Sequence, residues 1–291
     1  MNPIFVGIET GGTKIVCRVI DDLGRTLAQA RFPTVAPEAV VETLVETIQV
    51  ARPAGARIGG VGVASFGPLI VDPGAPDVGR MLPTTKPGWT GFNLATALAA
   101  RLDAPVEIDT DVNAAALAEQ AMGAGRGLRT LAYVTVGTGI GGGLVVDGRT
   151  LKGALHPEIG HVPLRRRPGD DLKSRCAFHA DCAEGLAAGP AVGERLDGRS
   201  LADAPEVRAL VADYLGQVCA VLLLTWSPQR IVLGGGVMST PGLVGEVEAR
   251  LRLELNGYGA AGVAAAPGYL APAALEHAGL EGALIMARRA G

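Results

Sequence analysis

"IFVGIETGGTKIVCRVIDDLGRTL", residues 4–27, and "LAYVTVGTGIGGGLVVDGRTL", residues 131–151, follow one local grammar. Each runs an apolar strand, a Gly/Thr-rich turn, a second apolar strand, a turn with Asp and Gly, and then Arg-Thr-Leu. The spacing predicts an internal repeat about 125 residues apart. In both copies the glycines join two β-rich runs as a hairpin and do not lead from a strand into a helix. That argues against a Rossmann or Walker-type loop.

Outward from the repeat, strands alternate with helical patterns. Residues 56–69 and 105–112 read as strands, and 92–102 and 113–123 as helices. The second half adds helices at 183–196 and 205–226, a strand at 230–237 opening into a helical stretch, and a closing helix at 275–289. The expectation is α/β, with two α/β domains around a cleft. The first takes residues 1–112 and is completed by about 275–291; the second takes 113–274. Ligands sit in such clefts by default.

Composition narrows the function. With 48 % hydrophobic and 19 % charged positions, 291 residues can bury a sizeable core. The net charge of −3 is spread without long blocks, so no nucleic-acid or anionic-lipid partner is expected. "MNPIFVGIETGG" has neither the charged nor the apolar region of a signal peptide. The apolar run 218–226 is about half of what a membrane helix needs and reads as a core helix. Four cysteines make a poor disulfide framework, and a cytoplasmic protein with free thiols is expected.

The glycine hairpins meet a physical requirement. Phosphates are held by backbone N–H groups from turns without an obstructing Cβ, with a hydroxyl and a lysine close by. "ETGGTK" (9–14) and "TVGTGIGGG" (135–143) supply this, and "LGGGVM" (233–238) would let a flat base or ribose approach the backbone. "DTDVNAAALAE" ends a strand with Asp109 and Asp111 and starts a helix at Asn113. Asp111 is either an acid favouring the helix dipole or, opposite a nucleotide, a carboxylate able to accept a hydroxyl proton. His161, Cys176, His179 and Cys182 form H-x14-C-x2-H-x2-C, a closed set of four ligands that suits structural tetrahedral zinc. The zinc loop, about 156–182, contains "RRRPGDD", a polar run not expected to order itself. His156 reads as an ordinary surface histidine, and Cys17 and Cys219 as buried packing residues.

Together "GIETGGTK", "SFGP", "DTDVNAAALAE", "VTVGTGIGGG", "EIGH" and the Cys/His segment running into "CAEGLAAGPA" resemble the ROK sugar kinases, specifically their zinc-containing bacterial fructokinases. The resemblance implies a duplicated ribonuclease-H-like fold of the actin/hexokinase type, MgATP-dependent phosphorylation of a hexose, and a homodimer. By motif, Asp111 resembles the general base. Gly11, Gly12, Thr13, Lys14, Thr138 and Gly139 resemble the phosphate loops, and Gly235 and Gly236 the adenosine-side turn. Glu158 resembles a sugar-hydroxyl ligand, His161 doubles as zinc and sugar-loop residue, and Gly67, Asn113 and Glu184 are further pocket candidates. Where many glucokinases of the family carry Asp, Asn and Cys-Gly-x-x-Gly-Cys, this chain has Glu9, Thr110 and Cys-x2-His-x2-Cys. These departures lean toward fructose. Mannose, glucose or an N-acetylated amino sugar stay open as substrates, and so does a non-catalytic zinc-stabilised sugar-binding or regulatory role.

Overall fold

The computed structural model describes residues 2–291. The chain divides into two compact units, one made of residues up to 118, 149–156 and 275–291, the other of 119–148 and 157–274. The change of unit at 118/119 falls inside a helix, six residues past the boundary expected at 112/113. Residues 149–156 belong to the first unit.

The first unit opens with β1 (Ile4–Thr10) and β2 (Lys14–Asp21), an antiparallel hairpin in which Thr10 faces Ile15. β3 (Thr26–Pro33) adds to β2, so the Arg-Thr-Leu that closes the repeat starts a third strand. Helix α1 (Pro37–Ala51) begins with proline in its first turn, where a missing N–H costs nothing, and buries Val40, Val41, Leu44 and Ile48. β4 (Ile58–Ser65) runs parallel to β1 and is buried at all eight positions, as expected for a parallel strand covered on both faces. α2 (Leu94–Leu102) is capped by Asn93, whose side-chain oxygen accepts the Thr96 N–H at 3.0 Å. β5 (Val106–Thr110) pairs parallel with β4 and leads directly into α3 (Asp111–Met122). The sheet order is β3-β2-β1-β4-β5.

The second sheet repeats this plan. β6 (Thr130–Val136) and β7 (Ile140–Val146) form the other glycine hairpin, and the second Arg-Thr starts β8 (Arg149–Thr150), cut to two residues. Where one helix was expected over 183–196, two occur: α4 (Ala183–Ala187) and α5 (Gly189–Leu196). Pro190 explains the break, because in a continuous helix it would donate no N–H and its ring would crowd the carbonyl of Leu186; Ala188 is extended instead, at φ −72° and ψ 165°. α6 (Pro205–Trp226) is apolar enough by composition to cross a membrane, yet 72 % of that stretch is buried, and Tyr214, Val218 and Leu222 lie in the unit's core. β9 (Arg230–Gly234) pairs parallel with β6 and stops at Gly234, since Gly235 turns away at φ +89°. α7 (Leu243–Leu255) and the short α8 (Ala261–Ala264) precede β10 (Leu270–Pro272). The order β10-β9-β6-β7-β8 is that of the first sheet read from its other edge. Three antiparallel strands followed by two parallel ones, made twice, is the duplicated ribonuclease-H-like topology.

The chain then returns to the first unit as α9 (Ala278–Ala290). This helix lies directly on a glycine floor. A Cβ on Gly62 would overlap the Ala283 carbonyl oxygen and fall 2.7 Å from the Ala287 nitrogen, and one on Gly7 would fall 2.7 Å from Leu284 Cγ. Only residues without side chains let helix and sheet approach this closely.

Candidate functional site

In the first unit the turn between β1 and β2 is held from below. Gly11 N–H donates to the Lys14 carbonyl at 2.8 Å, Thr34 Oγ1 donates to the Gly11 carbonyl at 2.7 Å, and Thr34 N–H donates to the Thr13 carbonyl at 3.1 Å. The carbonyls of Gly11, Thr13 and Lys14 are thus occupied, whereas the Gly12 and Thr13 amides have no protein acceptor among the described residues. The turn therefore presents donors, as an anion requires. Glu9, just before it, is half-buried. Burial raises its pKa, opposed by Lys14, His277 and the backbone of Leu280. A Cβ on Gly279 would fall 2.7 Å from Glu9 Oε1, so this carboxylate faces the first turn of α9.

At the end of β5 the two acidic residues separate in role. Asp109 is completely buried and accepts from Asn113 Nδ2 at 2.8 Å and Thr150 Oγ1 at 2.7 Å, with Lys152 Nζ at 3.1 Å. Asn113 is equally buried, so its amide braces Asp109 from behind, and its side-chain oxygen has no protein donor. Thr110 Oγ1 accepts the Asn113 N–H at 3.1 Å and caps α3. Asp111, in the helix's first turn, is partly exposed, and its Oδ1 accepts the Val112 N–H at 2.9 Å. Gly67 lies against the His156 ring, which is buried and whose Nε2 accepts the Leu69 N–H at 3.2 Å. His156, expected as an ordinary surface histidine, is buried instead, and the sequence gives no sign of Lys152 or Thr150; nothing local marks residues whose partners lie 41 to 87 positions away.

In the second unit Gly139 and Glu184 come together. Glu184 Oε2 accepts the Ile140 N–H at 3.1 Å, and a Cβ on Gly139 would meet that carboxylate. Glu184 thus lines the glycine hairpin beside Thr138. Burial, reinforced by the Glu184 charge, pushes the Glu158 carboxyl up to about 7. Gly235 reaches the same hairpin, since its Cβ would fall 2.5 Å from the Val136 carbonyl oxygen; Gly236 beside it has open space.

The four soft ligands also converge. One ligand atom each from His161, Cys176, His179 and Cys182 lie within 4.8 Å of one another. Cys176 Sγ is 3.8 Å from His161 Nδ1 and 3.5 Å from His179 Nδ1, and Cys182 Sγ is 3.9 Å from His161 Nδ1. A tetrahedral zinc with its usual bond lengths has S···N edges of about 3.6 Å. The donor set fits that ion. The polar run 165–171 also has protein partners of its own. Arg165 pairs with Glu254, Arg166 with Asp181, and Arg167 with Asp213 and Glu254. Asp170 accepts from Arg195 Nη2 at 2.8 Å and Tyr214 OH at 2.6 Å. Apart from Asp181, these partners lie on α5, α6 and α7, beyond the reach of a local reading.

The ROK family matches residues 5–290. A fructokinase of Zymomonas mobilis is 41 % identical over 88 % of this chain and 87 % of its own length, and one of Pediococcus pentosaceus is 37 % identical over 97 % of each. Among solved structures, a ROK hexokinase from Thermus thermophilus superposes with a TM-score of 0.78 at 33 % identity, covering 98 % of this chain and 97 % of that one. A ROK glucokinase from Streptomyces griseus, in complex with glucose and AMPPNP, gives 0.76 at 25 % identity, covering 98 % and 99 %.

Proposed function

Because the chain belongs to the ROK family, we propose that it is an ATP-dependent hexose kinase transferring the γ-phosphoryl group of MgATP to the terminal hydroxyl of D-fructose. The observation that carries this reading is the pair of glycine turns at equivalent places in two sheets of one strand order. Phosphoryl transfer asks the protein for alignment and charge stabilisation more than for covalent chemistry. In this reading Gly11 to Lys14, Thr138 and Gly139 hold the phosphates, and Gly235 and Gly236 flank the adenosine. Asp111 takes the hydroxyl proton; Mg²⁺ arrives with the nucleotide. Asp109 and Asn113 keep the start of α3 in place for Asp111. Gly67, Glu158, His161 and Glu184 contribute to sugar recognition, and the protein acts as a cytoplasmic homodimer.

The choice of fructose rests on the relatives named fructokinase, which match at higher identity than those named glucokinase, 30 % over 72–80 % of the chain. A coupled ADP-release assay with fructose, mannose, glucose and N-acetylated hexoses tests it. Fructose is expected to give a kcat/KM at least about tenfold above the others, the scale on which one well-placed pocket contact discriminates. A higher value for another hexose would reassign the substrate. Binding of AMPPNP with no turnover of any sugar would replace the kinase by a binding or regulatory protein.

His161, Cys176, His179 and Cys182 hold a structural zinc in this reading. Cys176→Ser is expected to lose stoichiometric zinc by elemental analysis. It should also lose about 2–3 kcal/mol of the second unit's stability, roughly 5–10 °C in melting temperature. The loss should stay partial, since the Asp170 ion pairs to Arg166 and Arg195 involve none of the four ligands. Full zinc with an unchanged melt would exclude the assignment.

A further inference from the structure

The segment Thr84–Trp89, "TTKPGW", carries a lysine for which the proposed reaction has no role so far. Its backbone is fixed from one side by a buried plug. Trp89 is 1 % exposed, donates Nε1–H to the Val35 carbonyl at 2.9 Å, and packs edge-on against Phe66 and Phe92. Its own N–H donates to the Lys86 carbonyl at 3.2 Å, and Pro87 restricts the chain in between. The Lys86 side chain runs from this anchor to the glycine turn of the first unit. A Cβ on Gly12 would fall 3.2 Å from Lys86 Cε and 3.3 Å from Nζ.

What surrounds that ammonium is one-sided. Among the described residues Lys86 has no carboxylate partner, and the Gly12 and Thr13 amides beside it have no protein acceptor. The nearby acid, Glu9, faces the start of α9. Of the turn's carbonyls, those of Gly11 and Thr13 accept from Thr34 and that of Lys14 accepts from the Gly11 N–H. Two amides and an adjacent ammonium, with no anion of their own, form a site for an oxygen-rich anion.

We infer that Lys86 is a ligand of the donor polyphosphate, binding it at the Gly11–Lys14 turn together with the Gly12 and Thr13 amides. The identity of the anion rests on the phosphoryl-transfer reading; the anion site itself does not. Because the ammonium meets only the phosphates, its loss should scale with phosphate number.

Calorimetric titration of the full chain with AMPPNP, AMP and inorganic tripolyphosphate tests this. Lys86→Met is expected to weaken AMPPNP and tripolyphosphate about 10- to 100-fold, as for a hydrogen bond to a charged group, and to leave AMP unchanged. Lys86→Arg should recover most of the loss. A merely structural lysine would weaken all three ligands alike, and that outcome overturns the assignment, as does wild-type AMPPNP affinity in Lys86→Met. If the wild type turns over no hexose while its tripolyphosphate affinity depends on Lys86, the site stands and the kinase reading falls. If it phosphorylates a hexose and the methionine variant binds AMPPNP normally, the reverse holds.

Discussion

Asp111→Ala is expected to lower kcat by about 10²-fold or more, the scale of a lost general base, with little change in ATP affinity. The local geometry gives the reason the effect should be confined to turnover. The start of α3 is fixed by Thr110 and by the Asp109–Asn113 pair, none of which touches the Asp111 carboxylate through the bonds described above. Removing that carboxylate takes away the side-chain acceptor of the Val112 N–H, while the Thr110 cap and the Asp109–Asn113 pair still hold the start of the helix. The measurement is steady-state kinetics with the preferred hexose beside AMPPNP titration. Turnover near the wild-type rate would remove Asp111 from the reaction. A parallel collapse of nucleotide affinity would make it a structural residue.

Gly62→Ala should cost the first unit on the order of 4 kcal/mol, more than 10 °C in melting temperature, beyond the usual price of an added methylene. An ordinary overpacked side chain can change rotamer. Here the added Cβ meets the Ala283 carbonyl and the Ala287 nitrogen, both backbone atoms inside α9, so the whole helix must lift from β4. Lifting it also disturbs Gly279 and hence the Glu9 contact beside the first glycine turn. Thermal melts followed by circular dichroism check this, and a shift under about 2 °C, less than 1 kcal/mol on this scale, would show that helix and sheet are not in rigid contact.

Legibility from sequence followed contact range. The hairpins, the parallel strands and α3 were readable because each is written in a local period or a glycine turn. The closing Arg-Thr-Leu of the two repeats begins the third strand of both sheets, so the echo between 4–27 and 131–151 already contained half of each sheet. The convergence of the Cys/His set was legible because three of its members lie within seven residues. The three-residue β10 and the helix α1 were not picked out, and Pro190 splits a helix that apolar spacing alone runs together. The side chains that brace the site escaped for one reason. His156 on Leu69, Lys152 on Asp109, Lys86 on Gly12 and Asp170 on Tyr214 are pairings made by the fold, and no spacing rule connects them.

The route of the chain through its two units bears on how the protein is made. β1 ends at Thr10, and the helix that covers its glycine floor does not begin until Ala278, about 270 residues later. At ordinary elongation speeds of about 5–20 residues per second, the ribosome takes some tens of seconds to supply it. Through that interval the nascent first sheet stays unroofed on the face of Gly7, Gly60 and Gly62, whereas nearly all of the second unit's sequence, 119–148 and 157–274, has already been translated. The later half of the polypeptide can therefore finish folding before the earlier half, and it is the earlier half that depends longest on protection from aggregation during synthesis.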